Sequence, residues 1–179
     1  MPTKILAISG SLQSGSSNTA LVRLAAGLSD SRVEVSIFDA LAALPYFNPD
    51  LDGDSPPSSV AELRARVGAA EALLIASPEY AHEMPGVLKN ALDWLVRSGE
   101  VYGKPVAVLC AAPSAERGSF VREALRRTLE AQGARVVVSA TIAVPPPARR
   151  SGDLSIEAGT GVASALEVLV SATAAPPVA

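Results

Sequence analysis

The sequence has one cysteine and one histidine among its 179 residues. A single cysteine excludes an internal disulfide and a cysteine zinc cluster, and we expect no metal site. Such sparse cysteine is typical of a reducing compartment, which predicts a cytoplasmic location. The chain also lacks any apolar run near the roughly 20 residues that cross a bilayer, so we expect no membrane partner. The apolar run at the N-terminus is too short for a signal peptide.

The chain has no excess of basic residues either. Its 15 Lys and Arg against 18 Asp and Glu give a net charge of -3, so we expect no nucleic-acid partner. Hydrophobic residues make up 49% and charged residues 18%, an ordinary globular balance. This length fits one domain over residues 1–179, with a short tail from about residue 174 that we expect to fray.

Apolar, often β-branched runs alternate with helical patterns along the chain. The predicted strands are 4–9, 33–38, 72–77, 105–112 and 135–144. Predicted helices run from Asn18, over 58–69, after Pro85, from about Val121 to a stop at Gly133, and over 162–173. Strands with nearly continuous apolar character are typical of a parallel sheet covered by helices on both faces. Five of them favour the flavodoxin-like three-layer α/β sandwich with strand order 2-1-3-4-5.

The loop after the first strand is unusually rich in small polar residues. It lies within "AISGSLQSGSSNTALVRLA", residues 7–25, and carries Ser11, Ser14, Ser16, Ser17 and Asn18. Hydroxyl groups next to the unpaired N–H groups of a helix start can hold a phosphate without a cation. The alternative is a solvated serine-rich turn with Asn18 as the helix N-cap. The residues of this loop alone leave both interpretations open.

Two better-known phosphate motifs are absent from the sequence. There is no G-x-x-x-x-G-K-[ST], which excludes a nucleoside triphosphate loop of that type. No G-x-G-x-x-G follows the first strand, and the "GTG" at 159–161 is interpreted as linker. Of two long loops, 43–59 is expected at the functional edge of the sheet, whereas 144–161 is either a spacer or a binding element.

The loop after the third strand reads "SPEYAHEMPGVLKNALDW", residues 77–94. Pro78 and Pro85 enclose residues 79–84 and predict a rigid wall there, in which Tyr80 offers a flat face for a planar ring. Tyr80 packed over its own loop is the alternative. The histidine, His82, has no evident partner and is interpreted as a surface or packing residue. Glu79 and Glu83 do not form a credible acid/base pair. Trp94 lies off the main apolar stripe of the following helix, which indicates a subunit interface as much as core.

At these two motifs the sequence closely resembles the NADPH-dependent FMN reductase family of flavodoxin-like proteins. The resemblance rests on "GSLQSGSSN" and "SPEYAHEMPGVLKNALDW", and the length and element order extend it over most of the chain. It implies that FMN is the cofactor, that its phosphate and ring lie in the two loops described above, and that the loop after the fourth strand, residues 112–119, closes the other side of the flavin. The cofactor-binding residues implied or predicted in this way are Ser11, Gln13, Ser16, Ser17, Asn18, Pro78, Glu79, Tyr80 and Ser114. Arg117 has two possible interpretations, a contact to a nicotinamide phosphate or an ordinary surface arginine.

The resemblance also implies a reaction. NADPH or NADH would pass a hydride to flavin N5, and a quinone, free flavin or similar small acceptor would then take its place, in a ping-pong scheme. No catalytic side chain is expected, because the chemistry belongs to the flavin; Cys110, within a strand, is interpreted as buried packing. The family also implies a homodimer or homotetramer. The alternatives are a flavin-binding electron carrier or redox sensor, and a cofactor-free structural or regulatory dimer.

The sequence departs from the family pattern at two positions. The second of them, Ala81, stands where asparagine is usual and removes a polar group beside the ring. The first generates a prediction. Gln13 stands where the family usually has arginine, so a charge-assisted contact near the phosphate becomes a neutral one. Because such contacts contribute about 1.5–3 kcal/mol, Gln13→Arg should tighten FMN binding in a flavin-fluorescence titration. An unchanged or weaker affinity would remove Gln13 from the phosphate site.

Overall fold

The computed structural model describes residues 1–144 and 154–174. Its strands are β1 (Thr3–Ser9), β2 (Val33–Phe38), β3 (Ala72–Ala76), β4 (Pro105–Ala112) and β5 (Arg135–Ala143). Its α-helices are α1 (Ser17–Gly27), α2 (Ser58–Ala69), α3 (Gly86–Asp93), α4 (Ser119–Ala131) and α5 (Ile156–Ala174). Two short 3₁₀ turns, Leu41–Ala43 and Pro49–Leu51, lie between β2 and α2.

All five strands are parallel and lie in the order β2-β1-β3-β4-β5, which confirms the predicted flavodoxin-like sheet. Side chains of a strand alternate between its two faces, so each strand feeds two cores. Leu6 and Ile75 pack with α2, α3 and α4, whereas Ile5 and Leu74 pack with α1 and α5. This burial on both faces explains why the central strands read as unbroken apolar runs. No helix in the described part of the chain is long and apolar enough to cross a membrane.

The last helix is longer than the sequence predicted. Residues 159–161, interpreted as linker, lie inside α5, and that interpretation is wrong. A Cβ on Gly161 would lie 2.7 Å from the Ile142 Cδ1 atom, so a glycine here permits close packing of the helix against β5. Glycine indicated a loop in the sequence, whereas its role is close approach. Residues 145–153, half of the loop predicted at 144–161, and the tail after residue 174 lie outside the described residues.

Trp94 belongs to the core of its own chain, which decides the alternative left open by the sequence. Its side chain is fully buried, and its indole N–H donates to the Pro45 carbonyl over 2.9 Å. The Phe47 ring meets it edge to face, with the ring centroids 5.0 Å apart. Asn90 donates to the same Pro45 carbonyl and accepts from the Phe47 amide. Asn90 and Trp94 therefore hold the loop after β2 against α3.

A buried ion pair fixes the far end of that loop. Arg64 on α2 lies 2.6 Å from the Asp52 carboxylate, and their side chains are only 14% and 5% exposed. Arg64 also donates twice to the Trp94 carbonyl, while Arg97 donates to the Asp52 carbonyl. The loop is thus held to both α2 and the end of α3, and the Asp52–Arg64 pair itself has little access to water.

We predict that Asp52→Ala lowers the free energy of unfolding by about 2 kcal/mol, because it leaves the Arg64 guanidinium largely buried without its counter-ion. Urea denaturation measures the change. Lys89→Ala is the control, since it breaks an exposed pair with Asp93 and should cost less than about 0.5 kcal/mol. Equal losses in the two variants would contradict the assignment.

Candidate functional site

A cleft of 510 Å³ opens where β1, β3 and β4 end. Its size lies within the roughly 300–1,000 Å³ of typical small-molecule sites. It also lies at the point where the strand order reverses, between β1 and β3, where open α/β sheets bind ligands. The residues that line it are Ser11, Gln13, Gly15, Ser16, Ser17, Asn18, Pro78, Glu79, Tyr80, Cys110, Ala111, Ala112, Pro113, Arg117 and Gly118.

The cleft brings together the predicted residues of the loops after β1 and β3. Ser114, in the loop after β4, is not part of its lining. The Ser114 hydroxyl instead donates to the Glu116 carboxylate, and this bond, with the backbone amide of Glu116, holds the pKa of that carboxyl below its usual value. The expected contact between Ser114 and the flavin has no support from this arrangement and stays a prediction. Arg117 is exposed and brings a cation to the rim of the cleft.

Gly10 begins the turn that leads from β1 into the cleft. Its amide donates to the Ala76 carbonyl over 2.8 Å, which keeps the backbone against β3. A Cβ at this position would lie 2.9 Å from Leu88 Cδ2 and 3.0 Å from Ser77 Oγ. The turn therefore requires glycine because of close approach, and it directs the serine-rich segment over the strand ends.

The start of α1 leaves backbone donors for a ligand. Ser16 is the N-cap, and its hydroxyl accepts from the Thr19 amide over 3.4 Å; the interpretation of Asn18 as N-cap is wrong. In the part of the chain that the structure describes, no acceptor contacts the amides of Ser17 and Asn18. Unpaired amides at a helix N-terminus with hydroxyl groups beside them form a donor set that suits a phosphate. The FMN that the resemblance implies fits this end of the cleft.

Asn18 has a structural task that its sequence position does not reveal. Its side-chain oxygen accepts from the amide of Ala111 over 2.9 Å, in a buried contact. The pairing of β3 with β4 ends where the Ser77 amide donates to Leu109, two residues before Ala111. Asn18 therefore takes the place that a longer β3 would have occupied, and it joins the start of α1 to the end of β4.

The loop after β3, which forms one wall of the cleft, contains a hairpin with a two-residue turn. Tyr80 and Glu83 exchange two backbone hydrogen bonds of 2.9 Å, and the residues between them, Ala81 and His82, have φ of 52° and 64°. Positive φ at both central positions is the type I′ turn that matches the twist of two strands. Tyr80 is 55% exposed and lines the cleft.

This hairpin is attached to α4 by three contacts that sequence reasoning missed. The Glu79 carboxylate accepts from the Val121 amide over 3.1 Å. The His82 ring stacks on Phe120 with the centroids 4.0 Å apart and the planes 4° from parallel. Glu83 lies 3.9 Å from Arg127. We call these three contacts the hairpin–α4 clamp.

Comparison with known proteins identifies the family. The model of the NADPH-dependent FMN reductase family matches residues 3–147. An NAD(P)H-dependent FMN reductase of Pseudomonas aeruginosa is 41% identical over 128 residues, which are 70% of this chain and 69% of that protein. A quinone reductase of Pseudomonas putida is 31% identical over 128 residues, 70% of this chain and 68% of the relative.

The chain belongs to the NADPH-dependent FMN reductase family. Membership confirms the predicted class of enzyme, an oxidoreductase, together with FMN as cofactor and NAD(P)H as electron donor. Among solved structures, FerB of Paracoccus denitrificans, a flavoenzyme NAD(P)H:(acceptor) oxidoreductase, is 24% identical with a TM-score of 0.76, covering 96% of this chain and 97% of that one. At this identity FerB supports the fold.

The hairpin generates a prediction about stability. A non-glycine residue with positive φ costs about 1–2 kcal/mol, so Ala81→Gly should raise the free energy of unfolding by about 1 kcal/mol. Ala81→Asn, which introduces the residue usual in the family, should stabilise in the same direction. Thermal unfolding measures both. Ala115→Gly, at a position in the loop after β4 whose own φ is not positive, should give no gain, and a gain there equal to that at Ala81 would contradict the strain argument.

Proposed function

We propose that this protein is an NAD(P)H:quinone oxidoreductase that works by a ping-pong mechanism on FMN. One observation carries the proposal. The backbone amides of Ser17 and Asn18 have no acceptor among the described residues, and they lie beside the cleft where the strand order reverses. Family membership supports FMN as the cofactor. The open end of the cleft supports a scheme in which two substrates reach the same face of the bound flavin one after the other.

The residues of the first loop bind the phosphate end of the cofactor. The amides of Ser17 and Asn18 donate to phosphate oxygens, with the Ser11 hydroxyl beside them. Residues 9–18 contain no lysine or arginine, so attraction comes from N–H groups and from the positive end of α1. The side chain of Gln13, which is exposed, adds a neutral donor at the rim.

The hairpin wall orients the ring end of the cofactor. Pro78 and the backbone after it form one side of the cleft, and the half-exposed Tyr80 ring covers part of its mouth. When bound there, FMN would supply the hydride-transfer chemistry that links NAD(P)H to the acceptor. The side chains of Glu79 and His82 are engaged on α4, which agrees with a reaction in which no side chain acts as nucleophile or base.

The names of the relatives support a small-molecule acceptor. The matching proteins of P. aeruginosa and P. putida are an NAD(P)H-dependent FMN reductase and a quinone reductase. A quinone is a flat ring that suits the same face as the nicotinamide, and the open cleft gives both of them access. We therefore propose a quinone rather than free flavin as the acceptor.

A homodimer or homotetramer is part of the proposal, as is the cytoplasmic location. Large apolar side chains are exposed in the loops that follow β1, β2 and β3 and at the start of α4: Leu12 is 59% exposed, Tyr46 91%, Tyr80 55% and Phe120 53%. Exposed apolar surface, where it is continuous, marks an interaction surface. Pairing with a second copy would cover these side chains and shield the bound ring.

The experiment compares two ligands and then measures turnover. FMN should bind the apo-protein about 100-fold more tightly than riboflavin, because only FMN has the phosphate that two charge-assisted hydrogen bonds hold. Flavin fluorescence measures both affinities. The loaded protein should then oxidise NAD(P)H with benzoquinone, with parallel lines in double-reciprocal plots.

Each failure points to a different alternative. Equal affinities for FMN and riboflavin would overturn the phosphate assignment. Tight FMN binding without turnover would favour the electron carrier or redox sensor, and absence of flavin binding would favour the cofactor-free dimer. Intersecting lines would exclude the ping-pong scheme.

A further inference from the structure

Helix α4 has no cap of its own. Its N-cap residue is Gly118, which makes no side-chain hydrogen bond because it has no side chain. Gly118 has a φ of 82°, and a Cβ there would lie 2.6 Å from the Cys110 sulfur. Both the backbone conformation and the close contact require glycine at this position. The serine, threonine, asparagine or aspartate that usually caps a helix is therefore excluded.

Glu79 supplies the missing cap from 42 positions earlier in the chain. Its carboxylate accepts the Val121 amide over 3.1 Å, the third residue of the helix and one of the donors that a helix leaves unpaired. A negative charge at this end also interacts favourably with the helix dipole. The contact is a charge-assisted hydrogen bond, which is roughly twice as strong as a neutral one.

The same contact joins two walls of the cleft. Glu79 and Gly118 both line it, Glu79 on the hairpin side and Gly118 on the side of the loop after β4. The loop after β4 ends directly in α4, so the position of the α4 start fixes the position of that wall. A shift of α4 relative to the hairpin would change the width of the slot between them.

We propose that Glu79 is a positioning residue that sets the spacing of the two walls between which the flavin ring binds. The proposal rests on the proposed function, since the ring is the group whose fit the spacing decides. Glu79 acts through Val121 and α4, so it is not a catalytic residue. The other two contacts of the hairpin–α4 clamp, at His82 and Glu83, support the same spacing from the exposed side.

The experiment uses two substitutions of Glu79 in the full chain. Glu79→Ala removes the acceptor, and Glu79→Gln keeps an oxygen that can accept the Val121 amide. Glu123→Ala is the matched control, because Glu123 lies exposed on α4 and contacts Arg126 away from the cleft. The readouts are hydrogen exchange of the Val121 amide in the apo-protein and the FMN dissociation constant from fluorescence.

Glu79→Ala should accelerate exchange at Val121 and weaken FMN binding, each by about tenfold. Glu79→Gln should restore both to within about threefold of the wild type, and Glu123→Ala should change neither. Faster exchange with unchanged FMN affinity would overturn the proposal, since the cap would then be structural only. Equal loss of FMN affinity in the Gln and Ala variants, with exchange at the Val121 amide unchanged, would also overturn the proposal. The charge of Glu79 would then affect FMN binding directly and not through α4.

The experiments test the proposed function and the role of Glu79 separately. A wild-type protein that does not bind FMN overturns the proposed function, and the coupling to the ring with it, whatever the exchange data show. A wild type that binds FMN normally, beside a Glu79→Ala variant that binds it equally well, overturns only the role of Glu79.

Discussion

The site depends on backbone N–H groups that are left unpaired where parallel strands and the helices after them meet at one edge. A buried amide without an acceptor is costly, so each one needs a partner. At this edge two are satisfied from a distance: Asn18 accepts from Ala111, and Glu79 accepts from Val121. Two others, at Ser17 and Asn18, have no acceptor among the described residues and stay available. The side chains of Asn18 and Glu79 thus occupy the amides of Ala111 and Val121. The amides of Ser17 and Asn18 are then the ones left to donate to a ligand.

The charge of the site follows from the same arrangement. The first loop offers N–H and hydroxyl groups but no cation, and the nearby carboxylate of Glu79 is directed to the α4 amide. A phosphate bound here would interact with fixed dipoles, which need no reorganisation and are less easily screened by salt than a surface ion pair. In the proposed site Gln13 stands in place of the family arginine, so FMN affinity would depend more on how accurately the backbone is held than on charge. The contacts that hold the loops would then belong to the binding site.

The sequence predicted the fold and the two main loops because both leave local signals. Apolar runs indicated strands with two buried faces, and Gly10 with the serines indicated a turn at a strand end. It could not predict the long-range contacts, since the Glu79 cap and the Asn18 bridge join residues 42 and 93 positions apart. Gly161 was misread for a related reason: glycine gives the same local signal for a linker and for a helix packed closely on a strand. Ser16 and Asn18 are both good N-caps, and what distinguishes them is that Ser16 accepts from the Thr19 amide whereas Asn18 accepts from the distant Ala111 amide.

The hairpin explains what the second departure from the family pattern changes. The sequence suggested that Ala81 removes a polar group beside the ring, whereas its side chain is exposed and its distinctive feature is a φ of 52°. Asparagine adopts this conformation more readily than alanine, so the cost of the change falls on the backbone. The neighbouring His82 has positive φ as well, yet its ring gains a stacked contact with Phe120. The hairpin–α4 clamp offsets the strain of the turn, and in doing so it makes the conformation of the ring wall dependent on the position of α4.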